Sequence, residues 1–596
     1  MDRRSRRGPV KPLVRFYHPP KGIMMLSRVC LLTGLTVLAG VCHLLTGSPA
    51  RADVRMPEIF GDHMVLQQDT RLPIWGWANP DEAITVSLGG QTLSTKASAD
   101  GSWRVELTPI PMTAVPLALT VRGKNILTFQ DVLLGDVWLS AGQSNMEIPL
   151  VKAHNAGTEL PKADDPQMRF FVVRSRTSLE AHNGLEDKAS IRRQGVWRVC
   201  SPETSGGCSA VTYFFGRNLR QTVKRPIGLV VSTFYSSPAE GWTRYQTIEK
   251  NVDKDPGFQK MLEARAGERE KFPQELRKYE EAVRAYEADL KNWDEVLRPK
   301  FNADLRVWNV ANDKARAEGK PGPEKPSLKP KPQPPLYPEG GGITIPGNLY
   351  NGMVAPVIPY AIKGIIWYQG EGNTGRSEQY KVLFPLMIAD WRNAWGQGDI
   401  PFLFVQLTSF GGISPDPCPP RDTWPLLREA QAFAVAQVKG TGMAAAIDVG
   451  DPVNIHPRDK MDVGVRLALI ARHQVYGEDV LFAGPTYQSM RVQGNKIRLT
   501  FGNVGGGLVI AAPPWTAPGQ PPVPVDQLLG FAIAGTDRKW VWAQASIEDQ
   551  QVVVYSRNVT QPVAVRYAWS NSPIPSNLYN RERLPAFPFR TDNWNP

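Results

Sequence analysis

Leu139-Ser140-Ala141-Gly142-Gln143-Ser144-Asn145-Met146 is the stretch of the chain that decides its fold. It ends an apolar run typical of a strand buried on both faces, and its glycine and polar residues can then start a helix. At such a turn Ser144 would expose its hydroxyl, and the helix start would offer N–H groups to a developing oxyanion. A serine in this position can also simply cap the helix. The stretch therefore predicts an α/β fold with a candidate nucleophile.

The same strand pattern recurs further along the chain. Ile365-Ile366-Trp367 is a short apolar run without alternation, and it also leads into a glycine-rich turn. Helical patterns follow these runs at residues 211–223 and 380–395. Alternating strands and helices predict an α/β domain with a parallel sheet, which we place at residues 132–484.

Two flanking regions alternate apolar with polar residues, as half-buried antiparallel strands do. Residues 84–88, 103–107 and 117–121 show this pattern before the α/β domain. Residues 497–501 and 563–569 show it afterwards. We therefore predict a β-sandwich-like domain at 53–131 and a carboxy-terminal β domain at 485–596.

One segment does not fit the α/β pattern. Its apolar residues recur at spacings of three and four, which places them on one helical stripe: Leu276, Tyr279, Val283, Tyr286, Leu290, Trp293 and Leu297. Pro299 is expected to interrupt this helix, a second helix should reach about Glu318, and the Pro- and Lys-rich tract 321–338 should have no regular structure. The prediction is a helical hairpin inserted at about 251–340, either a surface ornament or a dimerisation arm.

The first 52 residues have the pattern of a signal peptide: a basic region, an apolar run at 29–45 and the small-x-small sequence Ala50-Arg51-Ala52. The run is too short and too interrupted for a membrane anchor. These residues hold nine of the Arg and Lys against one Asp, so cleavage would lower the net charge from +12 to about +4. We expect a periplasmic or secreted protein with no stable membrane insertion after cleavage and no nucleic-acid partner.

Three of the five cysteines lie outside the predicted signal peptide: Cys200, Cys208 and Cys418. The first two could close a small disulfide loop in an oxidising compartment. The sequence has no CxxC pair, no cluster of His and Cys and no phosphate-binding glycine loop, so we expect neither a metal nor a cofactor.

The GxSxG elbow of α/β-hydrolases is absent, and Gly142–Met146 reads GQSNM instead. This motif resembles the first block of the SGNH hydrolases, specifically the sialate O-acetylesterase family of carbohydrate esterases. Further matches follow in the family's order: PAEGW at 238–242, WYQGEGN at 367–373 and DPVNIHPRDK at 451–460. The resemblance runs from about Met56 through the α/β domain, and more loosely beyond it. It implies an SGNH-type three-layer α/β/α domain.

The resemblance also implies roles for individual residues. Ser144 would be the nucleophile and His456 the base that takes its proton. Asn373 would donate its side-chain amide to the oxyanion, together with the N–H groups of Ser144 and of a third residue that we place at Ser236. Glu371 has no vacant role in this mechanism, so we expect it to brace the loop that presents Asn373.

Two departures from the family pattern affect these roles. The family usually has a glycine pair before the PAE motif, whereas this chain has Tyr235-Ser236-Ser237, so the loop must avoid a glycine-only conformation. The SGNH pattern places Asp three residues before the histidine, and Val453 stands there. Asp451 is our preferred third triad member and Asp448 is nearby. A backbone carbonyl could instead orient His456 and leave a dyad.

The resemblance implies hydrolysis of O-acetyl esters of sialic acid through an acetyl-enzyme on Ser144. An acetylxylan or other polysaccharide O-acetylesterase would use the same blocks. A catalytically inactive carbohydrate-binding protein is a hypothesis from another class. The choice of sugar rests on likeness alone.

Overall fold

The computed structural model of the chain describes residues 54–184, 195–338 and 340–594. The predicted signal peptide, residues 1–52, lies outside these ranges. Within them, no helix combines the length and the apolar character needed to cross a bilayer. Likewise, no three His, Cys, Asp or Glu side chains of the described residues are grouped as metal ligands would be.

The amino-terminal region is made of short strands joined by tight turns. They are β1 Val65–Gln67, β2 Leu72–Trp77, β3 Ala83–Leu88, β4 Gln91–Lys96, β5 Ser102–Leu107, β6 Thr113–Arg122 and β7 Ile126–Gly142. β3 pairs with β4 and β6, β6 pairs with β7, and β2 pairs with β5, all antiparallel. The predicted domain boundary at 131 falls inside β7, where Asp131 has a φ of 55° and the strand changes from half-exposed to fully buried.

The central sheet is built around the buried half of β7. Its other strands are β8 Asp165–Val172, β9 Trp197–Cys200, β10 Ile227–Thr233, β11 Gly364–Tyr368, β12 Phe402–Val405 and β13 Thr441–Ala444. Their order is β13-β12-β11-β7-β10-β8-β9. All the pairs in this order are parallel except β8 with β9. The predicted parallel sheet is confirmed.

Helices cover both faces of this sheet. Four of them pack on it through extensive buried faces, namely α4 Ala210–Val223, α8 Ser377–Trp395, α9 Trp424–Gln437 and α10 Met461–Gln474. The other helices of the described residues are α1 Ser144–Glu147, α2 Ala156–Glu159, α3 Pro202–Ser205, α5 Tyr245–Glu249, α6 Pro256–Asn292 and α7 Arg298–Ala317. Neighbouring strand residues point to opposite faces. Trp138 belongs to a core cluster with α4 and α10, whereas Leu139 belongs to another with α8 and α9. The three-layer α/β/α prediction is confirmed.

The carboxy-terminal region is all β, as predicted. Its strands are β14 Thr486–Gln493, β15 Lys496–Gly502, β16 Leu508–Ile510, β17 Phe531–Gly535, β18 Trp540–Trp542, β19 Gln544–Glu548, β20 Gln551–Tyr555, β21 Pro562–Tyr567, β22 Leu578–Asn580 and β23 Phe589–Arg590. Two four-stranded sheets, β14-β15-β20-β19 and β18-β17-β21-β23, enclose a core of their own.

The insertion differs from the predicted helical hairpin. α6 and α7 are joined by a π-helical turn, Trp293–Leu297, so the chain stays helical from Pro256 to Ala317, about 90 Å at the usual rise per residue. Pro299 is the second residue of α7, directly after the π turn. Such a turn rearranges the backbone hydrogen bonds that a proline would otherwise break, so the helix does not end there.

The return path of this arm is the Pro- and Lys-rich tract, which has no regular structure, as predicted. It packs along the helix through the indole N–H groups, since Trp308 Nε1 donates to the Pro323 carbonyl and Trp293 Nε1 to the Lys329 carbonyl, both at 2.8 Å. The predicted apolar stripe of this helix is therefore half-buried beneath the chain's own extended tract.

The two cysteines considered for a disulfide are separate thiols. Cys200 and Cys208 are both buried and unbonded to each other. Cys200 Sγ lies 3.3 Å from the Ser205 hydroxyl and 3.5 Å from the Ala163 carbonyl. The loop they flank is held by these contacts and by the capping box of α3.

Candidate active site

The nucleophile turn lies at the carboxyl end of β7, in the middle of the central sheet. Gly142 has a φ of 138°, and a Cβ there would approach the Tyr368 carbonyl oxygen to 2.2 Å, so only glycine fits. The Gln143 N–H donates to the same carbonyl at 3.0 Å. Ser144 begins α1 and is half-buried, and its N–H has no protein partner among the described residues.

The second block follows β10, the neighbour of β7. The Phe234 N–H donates to the Gly142 carbonyl at 3.0 Å, which holds this loop beside the nucleophile turn. Ser236 is exposed, and its N–H has no protein partner among the described residues. Its φ of 54° lies in the left-handed region, which costs a residue with a Cβ about 1–2 kcal/mol. The loop thus adopts a conformation that favours glycine but remains open to serine, and not a glycine-only conformation.

The side-chain amide of Asn373 is fixed by its neighbours and is 1% exposed. Its Oδ1 accepts from the Ala239 N–H at 2.9 Å and from Gln369 Nε2 at 2.8 Å. Its Nδ2 donates to Glu240 Oε2 at 3.0 Å. Because the Ala239 N–H can only donate, the oxygen and nitrogen of the amide cannot be exchanged. One amide hydrogen remains for an oxyanion.

The loop that carries His456 is tied to the nucleophile turn by one buried side chain. Asn145 Nδ2 donates to the Ile455 carbonyl at 3.0 Å, so the residues next to Ser144 and His456 are directly bonded. Among the described residues, the Ser144 hydroxyl and the His456 ring form no hydrogen bond with each other. Catalytic hydrogen bonds often tighten only in the complex with substrate. The structure brings both residues to one edge of the sheet.

His456 is partly buried, and this burial lowers the pKa of its imidazole below the usual value of 6.5. The positive charges of Lys460 and Lys152 lower it further. A lower pKa favours the neutral ring, which is the form that can accept a proton from a serine.

Asp451, the predicted third triad member, does not hydrogen-bond to the His456 ring in the described part of the chain. Its Oδ1 instead accepts from the N–H groups of Val453 and Asn454, at 3.0 and 3.2 Å. Asn454 Oδ1 in turn accepts from the backbone N–H of His456 at 3.0 Å. The carboxylate therefore shapes the turn that carries the histidine.

Asp448, the other nearby carboxylate, is used elsewhere. It forms a bidentate pair with Arg466, at 2.6 and 2.8 Å, and accepts from the Tyr579 hydroxyl at 3.0 Å. These bonds link α10 to the carboxy-terminal β region. Asp448 has no contact with His456 among the described residues.

Comparisons with known proteins show what this chain is similar to. The family described as carbohydrate esterase, sialic acid-specific acetylesterase, matches residues 340–470. Mouse sialate O-acetylesterase is 29% identical over 577 residues, which cover 90% of this chain and 94% of the mouse protein. The crystal structure of a carbohydrate acetylesterase from Xanthomonas citri is 33% identical, covers 91% of this chain and 100% of its own, and superposes with a TM-score of 0.67.

The chain belongs to the sialate O-acetylesterase family of carbohydrate esterases. It is a carboxylic ester hydrolase, and the enzyme class predicted from its four motifs is confirmed. Human sialate O-acetylesterase is also similar, with 28% identity across 75% of this chain and 76% of the human protein.

Two buried residues of this chain close to the nucleophile were not predicted from the sequence. Asn145 and Lys460 are both 0% exposed, and Lys460 Nζ donates to Asn145 Oδ1 at 2.6 Å. Asn145 also donates to Glu371 Oε1 at 2.5 Å, which is the bracing role expected of Glu371. The available signal was their position inside the GQSNM and DPVNIHPRDK motifs.

Replacing Lys152 by glutamine is expected to move the acid limb of the kcat/KM profile of this family member to higher pH. The substitution removes a positive charge that lowers the pKa of His456, so the ring becomes protonated, and inactive as a base, at a higher pH. Activity well above that limb should stay unchanged. The pH dependence of acetate release measures the position of the acid limb and the activity above it.

A suitable control is Lys162→Gln, which removes an exposed positive charge that does not act on the pKa of His456. High salt should reduce the difference between the Lys152 variant and the parent, since exposed charges are screened. An acid limb that is identical in all three proteins at low salt would contradict the account.

Proposed function

We propose that this esterase hydrolyses O-acetyl esters of sialic acid through an acetyl-enzyme on Ser144. The observation that carries the proposal is the direct bonding between the motif segments, since Asn145 links the Ser144 turn to the His456 loop and Asn373 bonds to the PAEGW segment. The mouse and human relatives are named sialate O-acetylesterases, which supports this substrate.

In the first half of the reaction, the neutral His456 ring takes the Ser144 proton as the serine oxygen attacks the acetyl carbonyl carbon. The carbonyl oxygen becomes an oxyanion, which accepts from the Asn373 amide and from the N–H groups of Ser144 and Ser236. The protonated His456 then gives its proton to the departing sugar oxygen. The sugar leaves with a free hydroxyl, and the acetyl group stays on Ser144.

In the second half, His456 takes a proton from water as the water oxygen attacks the acetyl-enzyme. The same donors stabilise the second oxyanion. The ester bond to Ser144 breaks, acetate leaves, and the proton on His456 returns to the serine oxygen. No step requires a further carboxylate in direct contact with the ring.

We propose further that Asp451 acts on His456 through the turn and not as a third triad member. Asp451→Asn is then expected to lower kcat by about tenfold or less, because the amide oxygen can still accept from the N–H groups of residues 453 and 454. Losing a true triad aspartate costs about 10⁴-fold in kcat. Steady-state kinetics with 4-nitrophenyl acetate distinguish these two losses of kcat. A loss near 10⁴-fold would show that Asp451 is the third member of a catalytic triad.

A second candidate is a polysaccharide O-acetylesterase, for example one acting on acetylated xylan. It is favoured by the Xanthomonas citri protein, which is named a carbohydrate acetylesterase and whose identity to this chain, 33%, exceeds the 29% of the mouse protein. The same Ser144, His456 and Asn373 would perform the chemistry. Only the sugar contacts would differ.

Acetate release from matched concentrations of O-acetylated sialic acid, acetylated xylan and 4-nitrophenyl acetate tests the choice. A clear preference in kcat/KM for the sialic acid supports the proposal. A preference for xylan keeps the mechanism and replaces the substrate. Release from 4-nitrophenyl acetate alone would contradict both sugar assignments.

We also propose that the protein is exported and that its mature form begins near Asp53. The support is the basic, apolar and small-x-small order of residues 1–52, which the described residues do not include. Sequencing the amino terminus of protein recovered from the periplasm or the medium tests this.

A further inference from the structure

A cluster of buried charges lies directly behind the nucleophile turn, and no step of the proposed reaction uses it. Lys460 and Asn145 are fully buried, and Lys460 Nζ is 5.6 Å from the centre of the Tyr368 ring. Glu371 Oε2 is a buried carboxylate oxygen with no protein partner, while its Oε1 accepts from Asn145. A buried ammonium and carboxylate are costly unless they stabilise each other.

The amide of Asn145 lies between these two charges in the orientation that suits both. Its oxygen, the negative end of the amide dipole, accepts from Lys460. Its nitrogen, the positive end, donates to Glu371 and to the Ile455 carbonyl. Ammonium can only donate and an ionised carboxylate can only accept, so no other orientation satisfies all three partners.

These bonds join three motif segments at one point. Asn145 belongs to the nucleophile turn, Glu371 to the segment that presents Asn373, and Lys460 to the segment that carries His456. A shift of any one of them would move a reacting group relative to the others. A misplacement of about 1 Å costs an enzyme roughly 100-fold in rate.

We propose that Lys460, Asn145 and Glu371 form one positioning unit, which holds the His456 loop against the Ser144 turn and fixes a buried positive charge in the segment that carries His456. None of the three touches the reacting atoms, so they are positioning residues. The inference rests on the proposed roles of Ser144 and His456.

The charge on Lys460 shifts the pKa of His456 in one direction, downward. Burial lowers the pKa of Lys460 to about 7, against the opposing effect of the negative charges on Glu371 and Asp459. Lys460 is therefore protonated below about pH 7, where the acid limb of activity lies, and its charge there lowers the pKa of His456. The exposed Lys152 is the other cation that acts on this ring.

Lys460→Met tests the unit directly. We expect kcat to fall about 10- to 100-fold with little change in KM, because the side chains are displaced and substrate contacts are not. We also expect the acid limb of kcat/KM to move to higher pH, since the variant lacks the Lys460 charge that lowers the pKa of His456. A loss of folded protein alone would lower the activity without moving this limb.

Arg265→Met is the matched control. Arg265 is also a buried cation, 3% exposed, and it donates to the Pro346 carbonyl at 2.9 Å near the base of the helical arm. Its removal should lower thermal stability and leave the acid limb in place. A shift of equal size in both variants would overturn the proposal.

Glu371→Gln is a second test, for use if the Lys460→Met variant does not fold. Glutamine keeps the shape of the glutamate side chain and removes its charge. Without the Glu371 charge, the pKa of Lys460 should fall further, so Lys460 loses its proton and the acid limb again moves to higher pH. In the double variant, kcat should be close to that of the worse single variant, because residues that act as a unit are not additive.

An unchanged acid limb in Glu371→Gln, or losses that multiply in the double variant, would overturn the proposal. These results are distinct from a failure of the proposed function. If Ser144→Ala abolishes turnover while Lys460→Met and Glu371→Gln keep the parent pH profile, only the positioning unit is wrong. If Ser144→Ala is active, the proposed function itself is wrong.

Discussion

Replacing Ser144 by alanine is expected to abolish ester hydrolysis, with kcat lower by about 10⁴- to 10⁶-fold. The serine oxygen is the only protein atom in the proposed reaction that bonds to the acetyl group, so its removal eliminates the acetyl-enzyme pathway. KM and glycan binding should change little, since the hydroxyl is not used to hold the sugar. Acetate release and a direct binding measurement on the same preparation check both.

Ser140→Ala is the control from β7, the strand that leads into the motif. The Ser140 hydroxyl is buried and lies 2.5 Å from that of Thr212, on the strand that precedes the turn, so its loss should affect stability more than kcat. A Ser144 variant as active as the parent would contradict the assignment. A parent that binds acetylated glycan without releasing acetate would instead favour an inactive binding protein.

Replacing Asn373 by alanine is expected to lower kcat by about 10²- to 10³-fold, the usual cost of one oxyanion donor. The amide is held rigidly by Ala239, Gln369 and Glu240, so its remaining hydrogen is positioned before substrate arrives. KM should change less than kcat, because the interaction strengthens as the oxyanion forms. Steady-state kinetics with 4-nitrophenyl acetate measure this separation.

Asn351→Ala provides a matched comparison. Asn351 is another buried amide, and its Nδ2 donates to the carbonyls of Ser178 and Leu179 at 3.1 and 2.9 Å, away from the nucleophile turn. It should lower stability and leave kcat close to the parent value. If the Asn373 variant behaved in the same way, Asn373 would be a structural residue and not an oxyanion donor.

The strands could be predicted from the sequence because burial leaves a hydrophobic pattern within each strand itself. Burial on both faces leaves an apolar run, as at β7 and β11, and burial on one face leaves alternation, as in β3. Pro299 shows the limit of this reasoning. A proline usually ends a helix, but a π turn beside it lets the helix continue, and this choice depends on packing that the local sequence does not encode.

The motifs specify where the candidate residues lie along the chain. Ser144, Asn373 and His456 lie in segments that follow β7, β11 and β13, at the carboxyl ends of these strands. Side-chain partners were not predictable in the same way. Asp451 has several N–H groups within reach, and only the folded turn shows that those of residues 453 and 454 are used. The burial of Lys460 against Asn145 likewise depends on how distant segments meet.

The most direct test of the account is to identify the residue that carries the acetyl group during turnover. The enzyme is mixed with 4-nitrophenyl acetate, quenched with acid within one turnover, digested and analysed by mass spectrometry. We expect an acetyl ester on the peptide that contains Ser144, and its absence from Ser144→Ala treated in the same way. Acetylation of a different residue at the rate of turnover, or rapid turnover with an unmodified Ser144 peptide throughout, would contradict it.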